Sequence, residues 1–373
     1  MRLAKTRKAW RVISIIPRLS PSIDGVGDYA LALARQLRSD FSVETHFVVG
    51  DPTWVGDNQL EGFHTTKVTE RSAKELCTQL VQVRCVKTVL LHYVGYGYAK
   101  RGCPKWLVDG LLHWKASYPK ACLITMFHEV AASGLPWTSA FWLSGSQHQL
   151  AKRLVLLSDR ILTSKHSYAE LLQNYAPERF ATIPTLPVFS TVGELQNPSS
   201  LSERIRRLVI FGGRSKRTKV YEDSLEQLRQ ICQYLDVQKI FDIGPPLSSL
   251  PANIGTVPVT AMGCLPSEEI SVILSGSIAG FFNYSPAFLG KSTIFAAYCA
   301  HRVIPISANM SNLHEEGLQP GKHYALSAQY NTEKKDLALM QSIADNAYSW
   351  YQVHNLRAQA QAYNALFYSL NAT

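Results

Sequence analysis

The cationic run between Arg214 and Lys219 is the segment best suited to binding an anion. It reads R-S-K-R-T-K and comes directly after Gly212 and Gly213, which close the apolar segment Arg207–Phe211. Cations beside glycines at the carboxyl end of a strand are well placed to hold a diphosphate, because glycine lets backbone amides approach the phosphate oxygens. The alternative is a solvated basic loop, which most such runs are. The position after a predicted strand favours the anion site.

A second glycine-rich segment lies near the N-terminus. Arg11–Ile16 is apolar and β-branched, which predicts a buried strand, and Tyr29–Leu37 has the apolar spacing of one helix face. The loop between them contains Gly25, Val26 and Gly27, and a helix N-terminus behind such a loop can bind an anion. The alternative is a tight turn without a ligand. The loop lacks the G-x-G-x-x-G fingerprint, which argues against NAD.

A third candidate phosphate site is the segment F-L-G-K-S-T, which contains Gly290, Lys291 and Ser292. A glycine turn that opens a helix can cradle a phosphate. A P-loop would also need a glycine five residues before Gly290, where Ser285 stands. A helix capped by Ser292 explains the same residues equally well. A P-loop nucleotide hydrolase therefore remains a minor hypothesis.

His128 and Glu129 follow the apolar segment Ala121–Phe127, which predicts another buried strand. At the end of a strand, this pair could bind sugar hydroxyls or take part in proton transfer. The alternative is that His128 has only a structural role, with its hydrogen bonds satisfied inside the protein.

These segments belong to a chain that alternates apolar strands with amphipathic helices, which predicts the α/β class with doubly wound parallel sheets. A polar, Pro- and Ser-rich stretch near residue 190 indicates a boundary between two similar domains. We expect domains at 1–190 and 207–345, a linker at 191–206 and a helical segment at 346–373. Two such domains predict a site in a cleft between them.

Composition excludes several classes of protein. Of the 373 residues 46% are hydrophobic and 18% charged, which is typical of a folded chain. The seven cysteines form no C-x-x-C pair, so neither a zinc site nor a disulfide framework is expected. Scattered cysteines of this kind predict a cytoplasmic location. No apolar run reaches the ~20 residues of a membrane span.

The net charge of +10 suggests polyanionic partners: nucleic acid, nucleotide phosphates or an anionic membrane. No nucleic-acid-binding module is recognisable, so no nucleic acid is expected. The basic stretch Met1–Arg11 would suit peripheral binding to anionic lipid, or would serve only solubility.

Taken together, these motifs resemble the family 4 glycosyltransferases, which have the GT-B fold: two Rossmann-like domains that face each other across a cleft, and a C-terminal helix that crosses back. Pro17–Leu37 is similar to the family's opening glycine loop and helix, and F-H-E at 127–129 to its donor-sugar histidine region. G-G-R-S-K-R-T-K is similar to the Arg…Lys pair that binds the diphosphate, and Gly263–Ile270 to the stretch beside the nucleotide base.

The resemblance implies catalytic roles for Arg214, Lys219 and His128. It implies donor binding by Gly25, Val26, Gly27, Glu129, Gly213, Gly263 and Leu265. From the glycine turn described above, Gly290, Lys291 and Ser292 are added as candidate phosphate ligands of the donor.

The implied activity is transfer of a sugar from a nucleotide-diphosphate donor to a glycan or lipid-linked acceptor. Retention of anomeric configuration, no metal and no cofactor besides the nucleotide sugar are implied as well. Such an enzyme would serve polysaccharide or glycoconjugate assembly at the inner face of a membrane.

The sequence departs from the family at one motif. Family members carry Glu-x7-Glu near a late helix, and the corresponding segment Phe288–Ala296 contains neither glutamate. A non-catalytic nucleotide- or glycan-binding module with a GT-B fold is therefore the second hypothesis.

Overall fold

The computed structural model describes residues 10–83, 87–132, 137, 139–309, 311, 315–330 and 335–368. Most of the basic N-terminal stretch, residues 1–9, lies outside this range. The chain forms two compact units. The first takes the chain up to Leu186 and again from Gln359, and the second takes Pro187–Ala358.

The first unit is built on a single sheet with the strand order β3-β4-β2-β1-β5-β6-β7. Its strands are β1 (Trp10–Ile16), β2 (Val43–Val49), β3 (Gln59–Leu60), β4 (Phe63–Lys67), β5 (Thr88–Tyr93), β6 (Cys122–Phe127) and β7 (Arg160–Thr163). Neighbouring strands are parallel except for the pair β3–β4. Every residue of β5 and β6 is buried, as expected for central strands of a parallel sheet.

The helices of the first unit follow the strands in turn. They are α1 (Gly25–Phe41), α2 (Ala73–Gln82), α3 (Gly95–Tyr98), α4 (Lys105–Ser117), α5 (Ser139–Leu157) and α6 (His166–Tyr175). The first helix begins four residues before the predicted start at Tyr29, because Asp24 caps it.

The second unit repeats the topology of the first, with the strand order β10-β11-β9-β8-β12-β13-β14. Its strands are β8 (Ile205–Phe211), β9 (Lys239–Ile243), β10 (Asn253–Ile254), β11 (Val257–Gly263), β12 (Ser277–Phe282), β13 (Ile304–Ser307) and β14 (Ala325–Leu326). Again only the hairpin pair, β10–β11, is antiparallel. The first strand of each unit, β1 or β8, therefore lies at the centre of its sheet.

The helices of the second unit are α7 (Arg214–Asp223), α8 (Leu225–Tyr234), α9 (Ser267–Ser275), α10 (Thr293–Ala300) and α11 (Leu337–Gln352). The last helix is α12 (Leu356–Tyr368). Ser224 separates α7 from α8. The basic run is not a loop, because α7 begins at Arg214.

Residues 191–206 lie within the second unit. Buried Arg204 holds the end of this stretch, since its guanidinium donates to the carbonyls of Ser277 at 3.1 Å and His301 at 3.0 Å. The last helix, α12, begins in the second unit and returns to the first from Gln359 onward. The predicted α/β class, the two Rossmann-like units and the returning C-terminal helix are confirmed. Within the described part of the chain, no helix is long and apolar enough to cross a membrane.

Candidate functional site

Three glycine turns meet at the carboxyl edge of the second sheet. Gly212 follows β8, Gly244 follows β9 and Gly263 ends β11. The amide of Gly244 donates to the carbonyl of Gly263 at 2.8 Å. A Cβ at Gly244 would lie 2.3 Å from the carbonyl oxygen of Gly212, and its φ is +143°, so only glycine fits. The three turns therefore form one tightly packed backbone rim, with half-buried Leu265 two residues beyond it.

The N-terminus of α7 opens onto this rim. Gly213 is its N-cap residue and has no side chain to accept from the amides of the first turn. Arg214, Lys216 and Lys219 are exposed along the first two turns. Arg214 Nε donates to the carbonyl of Pro246, in the turn after β9, at 2.9 Å. Helix-terminal amides together with three cations favour an anion here.

Arg217 belongs to the same run but has a different role. Its side chain is 1% exposed and forms an ion pair with Asp242 at the end of β9. It also donates from Nε to the carbonyl of Gly212 at 2.9 Å, and Tyr221 donates to the other Asp242 oxygen at 2.9 Å. Burial, followed by the Asp242 charge, raises the pKa of Tyr221, so its hydroxyl stays a donor. This network holds the glycine rim and α7 together.

The start of α10 adjoins the same rim. A Cβ at Gly212 would lie 2.4 Å from Cδ1 of Ile294, in the first turn of α10. Ser292 Oγ accepts from the amide of Phe295 at 3.2 Å, so the predicted cap is confirmed. The hydroxyls of Ser292 and Tyr284 are hydrogen-bonded, and Lys216 Nζ lies 5.4 Å from the Tyr284 ring centre.

The residues just before Ser292 form a 3-10 helix, Pro286–Lys291. It is not a loop that could wrap phosphates as a P-loop does. The carbonyl of Gly290 accepts from the amide of Val188 at 2.7 Å, and Lys291 Nζ lies 5.3 Å from the Phe288 ring centre. Gly290 is buried and Lys291 half-buried.

In the first unit, the corresponding helix start is capped by a carboxylate. Asp24 Oδ1 accepts from the amides of Val26 at 3.0 Å and Gly27 at 2.9 Å. A phosphate could reach these amides only by displacing Asp24. Gly27 must be glycine, because a Cβ there would lie 2.1 Å from the carbonyl oxygen of Arg18, whereas a Cβ at Gly25 meets no described atom within 4 Å.

His128 stacks on a second histidine, His92 of β5. His92 Nδ1 and His128 Nε2 are 3.1 Å apart, and the ring centres are 5.3 Å apart. Tyr29 of α1 meets the His128 ring edge-on at 5.1 Å and donates from its hydroxyl to Gln359 at 2.6 Å. The structure thus brings His128, α1 and the returning chain together. Glu129, half-buried, follows directly.

The hydrogen bonding of His92 determines where the protons of this pair lie. Burial, and then the neighbouring His128, lowers the pKa of His92 well below its ordinary value, so it is neutral. Within the described residues, His92 Nε2 has no hydrogen-bond partner. A bare nitrogen is less costly to bury than an unpaired N–H. We therefore assign the proton to His92 Nδ1, which donates to His128 Nε2, and the proton of neutral His128 to Nδ1.

Sequence reasoning missed His92, Tyr29, Tyr284 and the buried role of Arg217, and it included Lys216 only as a member of the basic run. The signal for His92 was a titratable ring inside a fully buried, mostly apolar strand. Within the described ranges, no group of three or more His, Cys, Asp or Glu side chains has the arrangement of a metal site.

No protein-family model and no curated protein matches the sequence. Solved structures do match in fold. An alpha-glucosyltransferase in complex with UDP-glucose and DNA containing an abasic site aligns with a TM-score of 0.59 and 14% identity, over 97% of this chain and 99% of that one. The lipopolysaccharide outer core galactosyltransferase WaaB aligns with a TM-score of 0.55 and 12% identity, over 96% and 99%.

WaaG, a glycosyltransferase involved in lipopolysaccharide biosynthesis, aligns with a TM-score of 0.57 and 10% identity, over 94% of this chain and 98% of that one. The chain therefore has the two-domain GT-B fold over nearly its full length. At this level of identity the similarity establishes the fold, and function must be argued from the site.

Proposed function

We propose that this protein is a glycosyltransferase that moves a sugar from a nucleotide-diphosphate donor to an acceptor hydroxyl. The observation that carries the proposal is the start of α7, where an N-cap without a side chain and three exposed cations adjoin a rim of glycine turns. One solved structure of the same fold holds UDP-glucose, which supports a nucleotide sugar as the ligand.

The diphosphate would lie at the start of α7. Arg214 and Lys219, joined by Lys216, would stabilise the negative charge that develops on the diphosphate as the sugar departs. Removing one preorganised contact of this kind raises a reaction barrier by about 3 kcal/mol. Ser292 and Lys291 would add contacts at the start of α10, and Gly263 and Leu265 would adjoin the base.

The first unit would hold the sugar or the acceptor. Because Asp24 occupies the amides of Val26 and Gly27, we assign the loop from Gly25 to hydroxyl recognition and not to phosphate. In its assigned tautomer, His128 donates a hydrogen bond from Nδ1, and its Nε2 lone pair is engaged by His92. It would therefore orient a hydroxyl without abstracting its proton.

The resemblance to family 4 extends the proposal to a retaining, metal-independent reaction in polysaccharide or glycoconjugate assembly, with a glycan or lipid-linked acceptor at a membrane. Cations at the start of α7 would take the place of a metal ion beside the diphosphate.

Isothermal titration with UDP, GDP, ADP and CMP tests the proposal. We expect one nucleoside diphosphate to bind with or without magnesium, and Arg214→Ala to lose about 1.5–3 kcal/mol of affinity, roughly ten- to a hundredfold. Arg229→Ala is the matched control, because Arg229 is an exposed arginine of the next helix, paired with Glu226. No binding by the wild-type protein would refute the donor site.

One observation favours a second candidate, a nucleotide- or glycan-binding module without catalysis: the missing Glu-x7-Glu motif. Sugar transfer or donor hydrolysis by the purified protein would eliminate it. Nucleotide binding without either activity would favour it.

A further inference from the structure

Two arginines share one buried carboxylate at the carboxyl edge of the first sheet. Asp51, in the turn after β2, is 5% exposed. Its Oδ2 accepts from Nε of Arg18, which follows β1, at 2.7 Å, and its Oδ1 lies 3.5 Å from an Nη atom of Arg71, which follows β4. Strands β1, β2 and β4 are neighbours and parallel, so these three segments emerge at the same edge. We call Arg18 and Arg71 the arginine pair.

Asp51 is an ionised carboxylate in a fixed position. Thr53 donates to its Oδ1 from the backbone amide at 3.1 Å and from the hydroxyl at 2.8 Å. Burial alone would raise the pKa of Asp51, but the hydrogen bonds from Arg18 and Thr53 outweigh it and hold the pKa below its ordinary value. The carboxylate therefore holds Arg18 in place and attracts Arg71 to the same point.

The arginine pair carries more charge than Asp51 offsets. In the part of the chain that the structure describes, neither arginine side chain has another hydrogen-bond or ion-pair partner, whereas exposed Arg35 of α1 has a carboxylate of its own, Glu61.

A third cation lies against the same turn. Lys67, at the end of β4, donates from Nζ to the carbonyl of Trp54 at 2.7 Å, and the amide of Trp54 donates to the carbonyl of Asp51 at 3.1 Å. Three cations and one carboxylate leave two positive charges unbalanced within this cluster. The side chains of Arg18 and Arg71 are 41% and 38% exposed, so a ligand can reach both.

Guanidinium groups with unused donors bind oxyanions. Arg18 uses Nε for Asp51, which leaves its two Nη groups for a ligand, and a guanidinium fork matches the oxygens of a carboxylate or a phosphate. A phosphate monoester has three free oxygens and a charge of about −1.5 to −2 at pH 7, whereas a carboxylate has two oxygens and a single charge. The two unbalanced charges of the cluster therefore favour phosphate.

The arginine pair adjoins the segment that we assign to hydroxyl recognition. A Cβ at Gly27 would lie 2.1 Å from the carbonyl oxygen of Arg18, so the backbone of Arg18 packs directly on the first turn of α1. A ligand whose phosphate lies at the arginine pair would therefore have its neighbouring hydroxyls near the loop from Gly25.

We propose that the arginine pair, together with Lys67, binds a phosphate group carried by the acceptor. This subsite selects a phosphorylated acceptor over a neutral one and determines which hydroxyl of the acceptor is presented for transfer. The phosphate site itself stands without the proposed function. Only the assignment of that phosphate to an acceptor rests on the proposed function.

Titration calorimetry with glucose 6-phosphate, glucuronate and glucose tests the subsite, because these probes differ chiefly in the group at carbon 6. The full chain carries Arg214→Ala and Lys219→Ala, which removes phosphate binding at the start of α7. We expect glucose 6-phosphate to bind at least about tenfold more tightly than glucuronate, and glucose to bind most weakly.

Arg71→Ala, added to the same protein, should weaken binding of glucose 6-phosphate about ten- to a hundredfold, the effect of one charge-assisted hydrogen bond. The fold should persist, because Asp51 keeps its bonds to Arg18 and Thr53. Arg71→Lys keeps the charge and should recover part of the affinity. Arg35→Ala is the matched control, since it removes an exposed arginine of the same unit, and it should leave the affinity unchanged.

Several outcomes would overturn the proposal. They are equal losses in Arg71→Ala and Arg35→Ala, binding of glucuronate as tight as that of glucose 6-phosphate, and no binding of either probe. Loss of nucleoside diphosphate affinity on Arg71→Ala in the otherwise wild-type chain would assign the pair to the donor and overturn it as well. If the wild type binds glucose 6-phosphate through Arg71 but no nucleoside diphosphate, the phosphate site stands and the proposed donor site fails.

Geranyl phosphate distinguishes a lipid carrier of the phosphate from a sugar carrier. It presents the same monoester as glucose 6-phosphate, so both should displace inorganic phosphate in a manner that depends on Arg71. Tighter binding of one ester supports the subsite and identifies the carrier. Displacement by neither ester would overturn the proposal.

Discussion

The two units have the same strand order, yet the first helix of each presents an opposite charge. In the first unit, Asp24 places a carboxylate on the N-terminus of α1 and occupies two of its amides. In the second unit, Gly213 caps α7 without a side chain, and Arg214 stands immediately after it. The difference shows that a shared backbone does not define a shared ligand. The Asp24 carboxylate offsets the partial positive charge at the start of α1, whereas the start of α7 still attracts an anion.

Each unit also has a buried polar pair beneath its helix start. Arg217 and Asp242 join α7 to β9 in the second unit, and His92 and His128 join β5 to the end of β6 in the first. The first pair is ionic and fixes the backbone rim. The histidine pair is neutral, and in it His92 orients the His128 ring, which lies beside α1. The proposed division, with diphosphate on the second unit and hydroxyls on the first, follows this contrast.

The largest expected effect tests whether the glycine rim of the second unit depends on the ion pair between Arg217 and Asp242. Arg217→Ala leaves the Asp242 charge buried without its partner, which should lower the free energy of unfolding by about 3–5 kcal/mol. Chemical denaturation measures the change. The double variant Arg217→Met, Asp242→Leu should recover most of the loss, because no unpaired charge remains. A loss no greater than that of exposed Arg229→Ala would contradict this role.

A cap exchange tests the comparison directly. Gly213→Asp gives α7 the carboxylate cap of α1, and a Cβ there meets no described atom within 4 Å. The helix should be stabilised slightly, while nucleoside diphosphate affinity should fall roughly a hundredfold, about 3 kcal/mol, because the carboxylate takes the phosphate's place. Titration calorimetry measures the affinity.

The reciprocal change, Asp24→Ala, should cost about 1 kcal/mol of stability and leave that affinity unchanged. If Asp24→Ala altered the affinity and Gly213→Asp did not, the diphosphate would belong to the first unit.

Acid should weaken both units through buried neutral histidines. Burial lowers the pKa of His301 in the second unit to about 4, and that of His92 in the first well below normal. The unfolded chain binds protons near pH 6.5 that the folded chain does not bind. The free energy of unfolding therefore has its full value above pH 6.5. Below that pH it falls by about 1.4 kcal/mol per pH unit for each of these histidines.

His92→Asn separates the contribution of the first unit. Asparagine keeps a donor near the Nδ1 position but cannot titrate, so the fall in the free energy of unfolding between pH 7 and 5 should be smaller than in wild type. His92→Leu removes the donor as well. The nitrogen chemical shifts of His128 should report a proton on Nδ1 in wild type, and a shifted tautomer ratio in His92→Leu but not in His92→Asn. Identical spectra in all three would refute the tautomer assignment.

Local patterns of residues determine much of this fold on their own. Apolar, β-branched runs locate β1, β5, β6, β8 and β12, because a strand buried on both faces needs such residues along its whole length. Ser292 can be recognised as a helix cap from its own side chain. The repeated alternation of strand and helix is sufficient to predict two Rossmann-like units. The basic run Arg214–Lys219 is likewise recognisable from the sequence as a group of cations that follows a predicted strand.

Only the tertiary structure decides which members of that run face solvent. Once α7 begins at Arg214, the helical period places Arg217, Val220 and Tyr221 on the buried side, facing Asp242 on β9. The pairing of His92 with His128 likewise depends on the register of β5 and β6, and these residues are 36 positions apart. Local sequence specifies the elements, because propensity and capping act within a few residues. The site depends on contacts between distant segments, which only the packed sheet brings together.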